Sequence, residues 1–128
     1  MIIVDTHAFL WWKSSPRKLG RRARGILENA SEVGISAISC WEIAMLVTNK
    51  RLRLDRDVLI WIKQALAQPT TRLLPLLPEI AVQAAQLGRQ LPGDSADRLI
   101  VATAMHHRCP LVTADKRIKV FDQIETVW

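Results

Sequence analysis

Residues 2–7 of the chain read IIVDTH, a run of three apolar β-branched residues that ends abruptly in three polar ones. An unbroken apolar run without alternating polar residues is typical of a parallel strand that is buried on both faces. Asp5, Thr6 and His7 then stand at the point where such a strand ends. We therefore predict that residues 2–4 form an interior strand with Asp5 at its carboxyl end.

Outside this run, the sequence alternates between short apolar stretches and longer amphipathic ones. The short stretches predict strands at residues 33–36, 72–76, 111–113 and 124–127. The longer ones predict helices over residues 17–30, 40–49, 56–67, 78–88 and 95–107, with a short helical turn at 8–12 and a loop at 91–93. This alternation predicts an α/β fold with a mostly parallel sheet and helices on both faces, in one domain spanning residues 1–128.

Four carboxylate residues fall at the predicted strand ends or helix beginnings. They are Asp5 after the first strand, Glu42 in the first turn after Ser39, Asp97 in the first turn of a late helix, and Asp115 just beyond residues 111–113. Because function gathers at the carboxyl ends of parallel strands, we expect these side chains to converge on one edge of the sheet. A pocket of like charges needs a cation, and Mg²⁺ and Mn²⁺ prefer oxygen ligands. The pattern indicates a metal centre that can activate water against a phosphate ester.

Two threonines stand beside these acids. Thr6 follows Asp5 directly, and Thr113 lies two residues before Asp115. Hydroxyl groups next to metal-binding carboxylates commonly orient the ligands or the water that the metal holds. We therefore expect Thr6 and Thr113 to support the carboxylates from behind.

Each acid also has an ordinary structural explanation. Ser39 and Glu42 have the spacing of a capping box, which stabilises the start of a helix without any catalytic purpose. Asp94 can be the N-cap of the helix that carries Asp97, and Asp97 can simply favour the positive end of that helix. The remaining two acids can be turn residues. Caps and turns explain any one acid alone, but they explain the joint pattern less well.

The segment His106-His107-Arg108-Cys109 places three potential metal ligands close together. Adjacent residues point in different directions on a helix, and this spacing matches no zinc-binding pattern. A solvated helix end with favourable dipole contacts is the better explanation. His7 can serve as a general base, although its neighbour Asp5 makes a hydrogen-bonding or packing role an equal alternative.

The chain carries 18 Lys and Arg residues against 12 Asp and Glu residues, a formal net charge of +6 over 128 residues. A small basic domain favours a polyanionic or acidic partner, such as nucleic acid. The sequence has no run of roughly 20 apolar residues that could span a bilayer, and its N-terminus lacks a basic secretion segment. Two cysteines, Cys40 and Cys109, provide neither a disulfide framework nor a four-cysteine zinc site. We expect a cytoplasmic protein with reduced thiols.

Four segments of the chain carry a family resemblance. They are residues 4–12 (VDTHAFLWW), 39–44 (SCWEIA), 93–104 (GDSADRLIVATA) and 111–115 (LVTAD). At these residues the sequence resembles the PIN-domain nucleases, and within them the VapC-type toxins of bacterial toxin-antitoxin pairs. The segments stand in the family's order and span nearly the whole chain, so together they are specific. A small departure is Pro92-Gly93, which stands where many relatives carry histidine.

The resemblance implies a three-layer α/β/α fold and an endoribonuclease that depends on Mg²⁺ or Mn²⁺. On this basis Asp5 and Asp97 are the main metal ligands. Glu42 completes the acidic pocket, and Asp115 helps to position metal or water. Asp94 is either an outer acid of the pocket or the cap of the helix that carries Asp97.

The resemblance also implies partners. RNA would be the substrate, and its phosphates would be neutralised by the basic residues at 17–24, 50–53 and 116–119. A cognate VapB-type antitoxin would block the acidic pocket with a tail that lies in an apolar groove, and relatives commonly form homodimers. Candidate antitoxin surfaces are the helices that contain Trp11-Trp12, residues 41–47 and residues 56–67, although core packing explains most of these side chains.

Two other functions compete with a nuclease. The first is a non-catalytic nucleic-acid-binding domain, in which the basic residues bind phosphate and the acids merely cap helices. The second is a metal-dependent phosphatase for small phosphoesters. Against it, the segment at residues 5–7 lacks the second aspartate of an aspartyl-phosphate mechanism, and the sequence has no Gly-rich phosphate loop.

Overall fold

The computed structural model describes residues 1–91 and 93–128. In this part of the chain the strands are β1 (Ile2–Val4), β2 (Val33–Ser36), β3 (Thr71–Leu74), β4 (Leu111–Val112) and β5 (Thr126–Val127). The α-helices are α1 (Thr6–Ser14), α2 (Arg21–Asn29), α3 (Ala37–Thr48), α4 (Val58–Leu66), α5 (Pro78–Gln86), α6 (Ser95–His107) and α7 (Lys116–Lys119), with a 3₁₀ turn at Pro16–Lys18. Pro92, part of the loop predicted at 91–93, lies outside the described residues. None of the described helices is both long and apolar enough to cross a membrane.

The strands form one sheet in the order β3-β2-β1-β4-β5, and each neighbouring pair runs parallel. From the central strand β1 the chain moves outward to β2 and β3, then returns to β4 and β5 on the other side of β1. The order of the strands therefore reverses beside β1. Open α/β sheets bind ligands in the crevice outside the carboxyl ends of the strands at such a point. The prediction of a mostly parallel sheet is confirmed.

The central strand is buried on both faces, as its unbroken apolar run predicts. Ile2 and Val4 pack in one core cluster with residues of α1, α2, α3 and α4. Ile3 packs in a second cluster with residues of α5, α6 and α7. Because successive side chains of a strand point to opposite faces, these three residues connect the two cores through the sheet. The predicted three-layer α/β/α arrangement is therefore present.

Two helices begin earlier in the chain than predicted, because the residues that cap them lie earlier. The first helix begins at Thr6 because an Asp5 oxygen accepts a 2.8 Å hydrogen bond from the Ala8 amide. The helix expected from Cys40 begins at Ala37, capped by Ser36, so β2 passes into α3 without a loop. The alternative that Ser39 and Glu42 form a capping box is therefore wrong. Glu42 lies in the second turn of α3.

The late strands are shorter than predicted, and one helix was not predicted at all. The third strand ends at Leu74, directly before Pro75, which has no amide hydrogen to continue a strand ladder. Asp115 caps the short helix α7, since one of its oxygens accepts a 2.8 Å hydrogen bond from the Arg117 amide. A helix of four residues is too short to show a helical period in the sequence.

Candidate active site

A cleft of about 390 Å³ lies where the chain leaves β1 and β4. We call it the acidic cleft, because five carboxylate side chains line it: Asp5, Glu42, Asp94, Asp97 and Asp115. The structure thus brings together the four main acids that the sequence singled out, together with Asp94, which the sequence predicts as an outer acid or a helix cap and which is both. They arrive from β1, α3, the start of α6 and the end of β4.

Asp5 is held in one orientation by contacts to both of its carboxylate oxygens. One oxygen accepts the hydrogen bond from the Ala8 amide that caps α1, and the other accepts a hydrogen bond from the Thr113 hydroxyl. The Asp5 amide also donates to the carbonyl of Val112 at 3.1 Å. Burial raises the pKa of Asp5, and the Thr113 and Ala8 hydrogen bonds partly offset this rise. Asp5 is therefore both a helix cap and a fixed member of the cleft.

Glu42 is positioned by a chain of hydroxyl groups that begins at Ser39. The Thr6 hydroxyl hydrogen-bonds Glu42 Oε1, and it shares a 2.9 Å hydrogen bond with the buried Ser39 hydroxyl. A carboxylate only accepts, so Thr6 donates its single proton to Glu42 and Ser39 donates to Thr6. Burial raises the pKa of Glu42 despite this donor. The sequence identified Thr6 as a supporting residue, but it assigned Ser39 to a helix cap.

Asp97 lies in the first turn of α6, as the sequence predicts. Burial raises its pKa to about 6, and the negative charges of Glu42, Asp115 and Asp94 push it in the same direction. Asp94 is the N-cap of this helix, and its side chain accepts from the Ala96 amide at 3.1 Å. The acids of the cleft therefore repel one another across positions far apart in the chain.

Asp115 differs from the other acids because a guanidinium group stands beside it. The hydrogen bond from the Arg117 side chain is the main reason why the pKa of Asp115 lies below its usual value. Nη2 of Arg117 lies 3.0 Å from Asp115 Oδ2 and 3.1 Å from Asp97 Oδ2. The sequence placed Arg117 only among the residues that contact phosphate. Nothing in the local pattern indicates that it reaches Asp97, twenty residues away.

Thr113 connects the two strand ends that frame the cleft. Its buried hydroxyl donates to Asp5 and accepts a 3.0 Å hydrogen bond from the Asp115 amide. His7 also lines the cleft, and its ring packs against Trp11 with centroids 5.8 Å apart. His106 and His107 are not among the residues that line the cleft.

The donor set fits a hard divalent cation better than a softer one. The acidic cleft offers carboxylate and hydroxyl oxygens, which Mg²⁺ and Mn²⁺ prefer. Burial raises the pKa of three of its acids, so a bound cation would relieve an electrostatic cost that the protein itself leaves in place. Among the described residues, no three His, Cys, Asp or Glu side chains are grouped so that they could hold a metal ion as they stand.

A second cleft, of about 640 Å³, adjoins the first one and shares His7 and Trp11 with it. We call it the basic cleft, because its lining includes five cationic side chains against a single acid, Asp55. The cations are Lys13, Lys18, Arg51, Arg53 and Arg56. Two clefts of opposite charge therefore meet along α1.

The family model described as the PIN domain matches residues 2–124. Ribonuclease VapC22 of Mycobacterium tuberculosis is 39% identical over 118 residues, which are 92% of this chain and 89% of that protein.

Two solved structures illustrate the similarity of fold. VapBC2 from Rickettsia felis, bound to a DNA fragment from its promoter, matches with a TM-score of 0.76 at 16% identity, over 100% of this chain and 99% of that one. A toxin-antitoxin complex from Klebsiella pneumoniae matches with a TM-score of 0.70 at 21% identity, over 100% and 97%. At these identities the likeness extends to the fold alone.

Proposed function

The chain belongs to the PIN domain family, and on that basis we propose that it is an endoribonuclease that hydrolyses RNA phosphodiester bonds at a divalent metal ion. The relative from Mycobacterium tuberculosis, named a ribonuclease, supports the activity. The observation that carries the chemistry is the acidic cleft, where carboxylates from four parts of the chain face one another. Such a cluster is suited to metal-assisted hydrolysis.

We assign the metal ion to Asp5 and Asp97, with Glu42 and Asp115 completing the set. Mg²⁺ and Mn²⁺ both fit oxygen ligands of this kind. When bound, the ion supplies charge neutralisation for the reacting phosphate and a lowered pKa for the attacking water. Burial and the repulsion among the acids together raise the pKa of Asp97 to about 6. A bound cation would relieve that repulsion and favour the ionised carboxylate.

Hydrogen bonds from the chain's own residues orient the acids. Thr113 and the Ala8 amide fix Asp5 and oppose the rise of its pKa by burial, because hydrogen bonds to a carboxylate favour its charged form. Thr6 donates to Oε1 of Glu42 and holds this carboxylate in one orientation, which leaves Oε2 to bind the ion.

The basic cleft supports RNA as the substrate. Its five cations would neutralise phosphates of the bound strand, while the adjoining acidic cleft would receive the phosphate that is cleaved. Trp11 lines both clefts at their junction, where its ring packs against those of His7 and Trp128. A single-stranded segment of RNA is the substrate form that such a path accommodates.

We further propose that the chain is the toxin of a toxin-antitoxin pair and that a VapB-type antitoxin controls it in the cytoplasm. Solved structures with this fold include a toxin-antitoxin complex. Neighbouring helices α3 and α4 present exposed apolar side chains to a partner, with 55% exposure for Trp41, 56% for Leu59 and 52% for Ile60. Scattered apolar residues need no partner, but several on adjacent helices are typical of an interface. A homodimer stays a prediction.

The test uses purified, antitoxin-free protein and total RNA, with added Mg²⁺, with added Mn²⁺ and with EDTA, followed by mapping of the new RNA ends. We expect cleavage at defined sites in the presence of metal, none in EDTA, and none with Asp97→Asn, which still binds RNA. RNA binding without cleavage in the wild type under every condition would favour the non-catalytic binding domain. Hydrolysis of small phosphoesters without RNA cleavage would favour the phosphatase.

A further inference from the structure

Arg117 contributes a positive charge to the acidic cleft, although the proposed metal centre gives it no role. We infer that Arg117 is an internal counter-cation that competes with the divalent metal ion for Asp97 and Asp115, and thereby sets the protein's affinity for metal. The inference rests on the proposed metal centre and goes beyond it, because it assigns a regulatory contact to a residue that does not bind the ion.

The contacts of Arg117 involve oxygens that the ion would need. Nη2 lies 3.1 Å from Asp97 Oδ2 and 3.0 Å from Asp115 Oδ2, and Nε lies 3.4 Å from Asp115 Oδ1. The planar guanidinium therefore bridges two carboxylates from different parts of the chain. A divalent ion that binds either oxygen of this bridge competes with a charge-assisted hydrogen bond. Any interaction made only by the metal-free form lowers the apparent affinity for metal.

The charge on Arg117 acts against the repulsion that would otherwise attract a cation. Asp97 experiences the negative charges of Glu42, Asp115 and Asp94, and Arg117 is the one opposing charge among its main influences. Removing Arg117 leaves the carboxylates more strongly repelled and the cleft more negative. A divalent ion is then the remaining means to neutralise them.

The backbone at Gly93 leaves space for the guanidinium inside the cleft, and we call this space the guanidinium's seat. A Cβ atom added at Gly93 would lie 2.6 Å from Arg117 Nη1, so the bare backbone at this position leaves room for the side chain. Gly93 also has a φ of +133°, which residues with a Cβ rarely adopt. The loop before α6 therefore accommodates the bridge.

Arg117 can also leave this seat without disturbing the core. Its side chain is 55% exposed and projects from the short helix α7. It borders a further cavity of about 430 Å³, distinct from the two clefts, which Asp122 and Gln123 also line. Partly exposed ion pairs are individually weak, so a divalent ion can displace the bridge. Arg117 therefore lowers metal affinity without abolishing it.

The experiment measures Mn²⁺ binding to antitoxin-free protein by the loss of the free-ion signal in electron paramagnetic resonance, at low salt and without RNA. The variants are Arg117→Met, which keeps much of the side-chain length, and Arg117→Lys, which keeps the charge but not the fork. Lys119→Met is the matched control, because it removes one positive charge from the same helix. Circular dichroism melting verifies that each variant is folded.

We expect Arg117→Met to bind Mn²⁺ roughly three- to tenfold more tightly than the wild type, because two partly exposed ion pairs no longer oppose the ion. Arg117→Lys should fall in between, and Lys119→Met should match the wild type. Equal or weaker binding by a folded Arg117→Met, with normal binding by the wild type, overturns the inference and leaves the proposed function standing. If neither protein binds Mn²⁺, the proposed metal centre and this inference both fail.

Displacement can also be observed directly. In a nitrogen-15 spectrum of the arginine side chains, the Nε resonance of Arg117 is assigned from its loss in Arg117→Met. We expect it to move toward the position of a solvent-exposed arginine as Mg²⁺ is added. An unchanged resonance at saturating Mg²⁺ shows that the bridge survives metal binding, and this too overturns the inference.

Discussion

The acidic and basic clefts adjoin each other but are built in opposite ways. The acids of the first come from four separate parts of the chain, and buried hydroxyl groups fix Asp5 and Glu42. Most cations of the second are exposed, and three of them, Arg51, Arg53 and Arg56, come from one loop between α3 and α4. The difference indicates that the acidic cleft is built for the accuracy that chemistry requires. The basic cleft is suited to adaptable binding of a flexible polyanion.

The largest effect should come from Asp5→Asn in the acidic cleft. Asparagine is nearly isosteric and is an equally good N-cap, so α1 keeps its start while the charge is lost. We expect the rate of RNA cleavage to fall on the order of 100-fold or more. RNA affinity, measured by fluorescence anisotropy in EDTA, should stay nearly unchanged. A parallel loss of both would show that the two clefts are not separate in function.

The next effect should come from Thr113→Val, which removes a donor to Asp5 and keeps the shape of a buried residue. The pKa of Asp5 then rises further, because burial acts with less opposition. We expect cleavage to fall roughly tenfold, and the acidic limb of its pH profile to move to higher pH. Thr113→Ser should retain most of the activity. A serine variant as impaired as the valine variant would attribute the loss to packing.

A several-fold effect on binding is expected from Arg51→Ala combined with Arg53→Ala in the basic cleft. KM for RNA should rise and kcat should stay near the wild-type value, because these side chains bind phosphate away from the reacting bond. The salt dependence of binding should weaken by about 0.7 in the log-log slope for each phosphate that the variant no longer neutralises.

The matched control for this pair is Arg21→Ala combined with Arg22→Ala. The sequence placed both arginines among the residues that contact phosphate, but they are exposed on α2 and line neither cleft. The control removes the same charge, so equal decreases in RNA affinity in the two double variants would assign the effect to net charge and contradict a role for the basic cleft.

The smallest effect concerns stability without metal. The pKa of Asp97 in the folded protein is about 6, above the ordinary value of 3.8. The folded state therefore holds this proton more tightly than the unfolded chain does. The resulting stability is fully present below pH 3.8 and is lost as the pH rises to about 6.

In EDTA, the Tm of the wild type should therefore fall more between pH 4 and pH 6.5 than that of Asp97→Asn, by a few degrees. The effect is small because the Asp97 side chain is 23% exposed and partly screened by solvent. Melting curves of the two proteins across this pH range provide the measurement. Identical pH profiles would mean that the pKa of Asp97 is not raised.

Much of the fold could be predicted because its decisive patterns are local. The run at residues 2–4 predicts a buried parallel strand, and Asp94 before an apolar helix predicts the cap that α6 has. Errors arose where two local explanations compete. Ser36 and Ser39 both precede helical residues, and only the continuation of β2 into α3 selects Ser36 as the cap. Helix α7 escaped prediction because four residues contain no period.

The sequence by itself determined the order of strands and helices, the burial of β1 and the placement of acids after strands, because periodicity and capping act over a few residues. Tertiary structure alone decided which groups hold the acids in the cleft. The hydrogen-bonded pairs Thr6–Glu42, Arg117–Asp97 and Thr113–Asp5 are separated by 36, 20 and 108 residues. Contacts over such distances form only when the sheet brings its strand ends together, so the electrostatics of the cleft are a property of the folded chain.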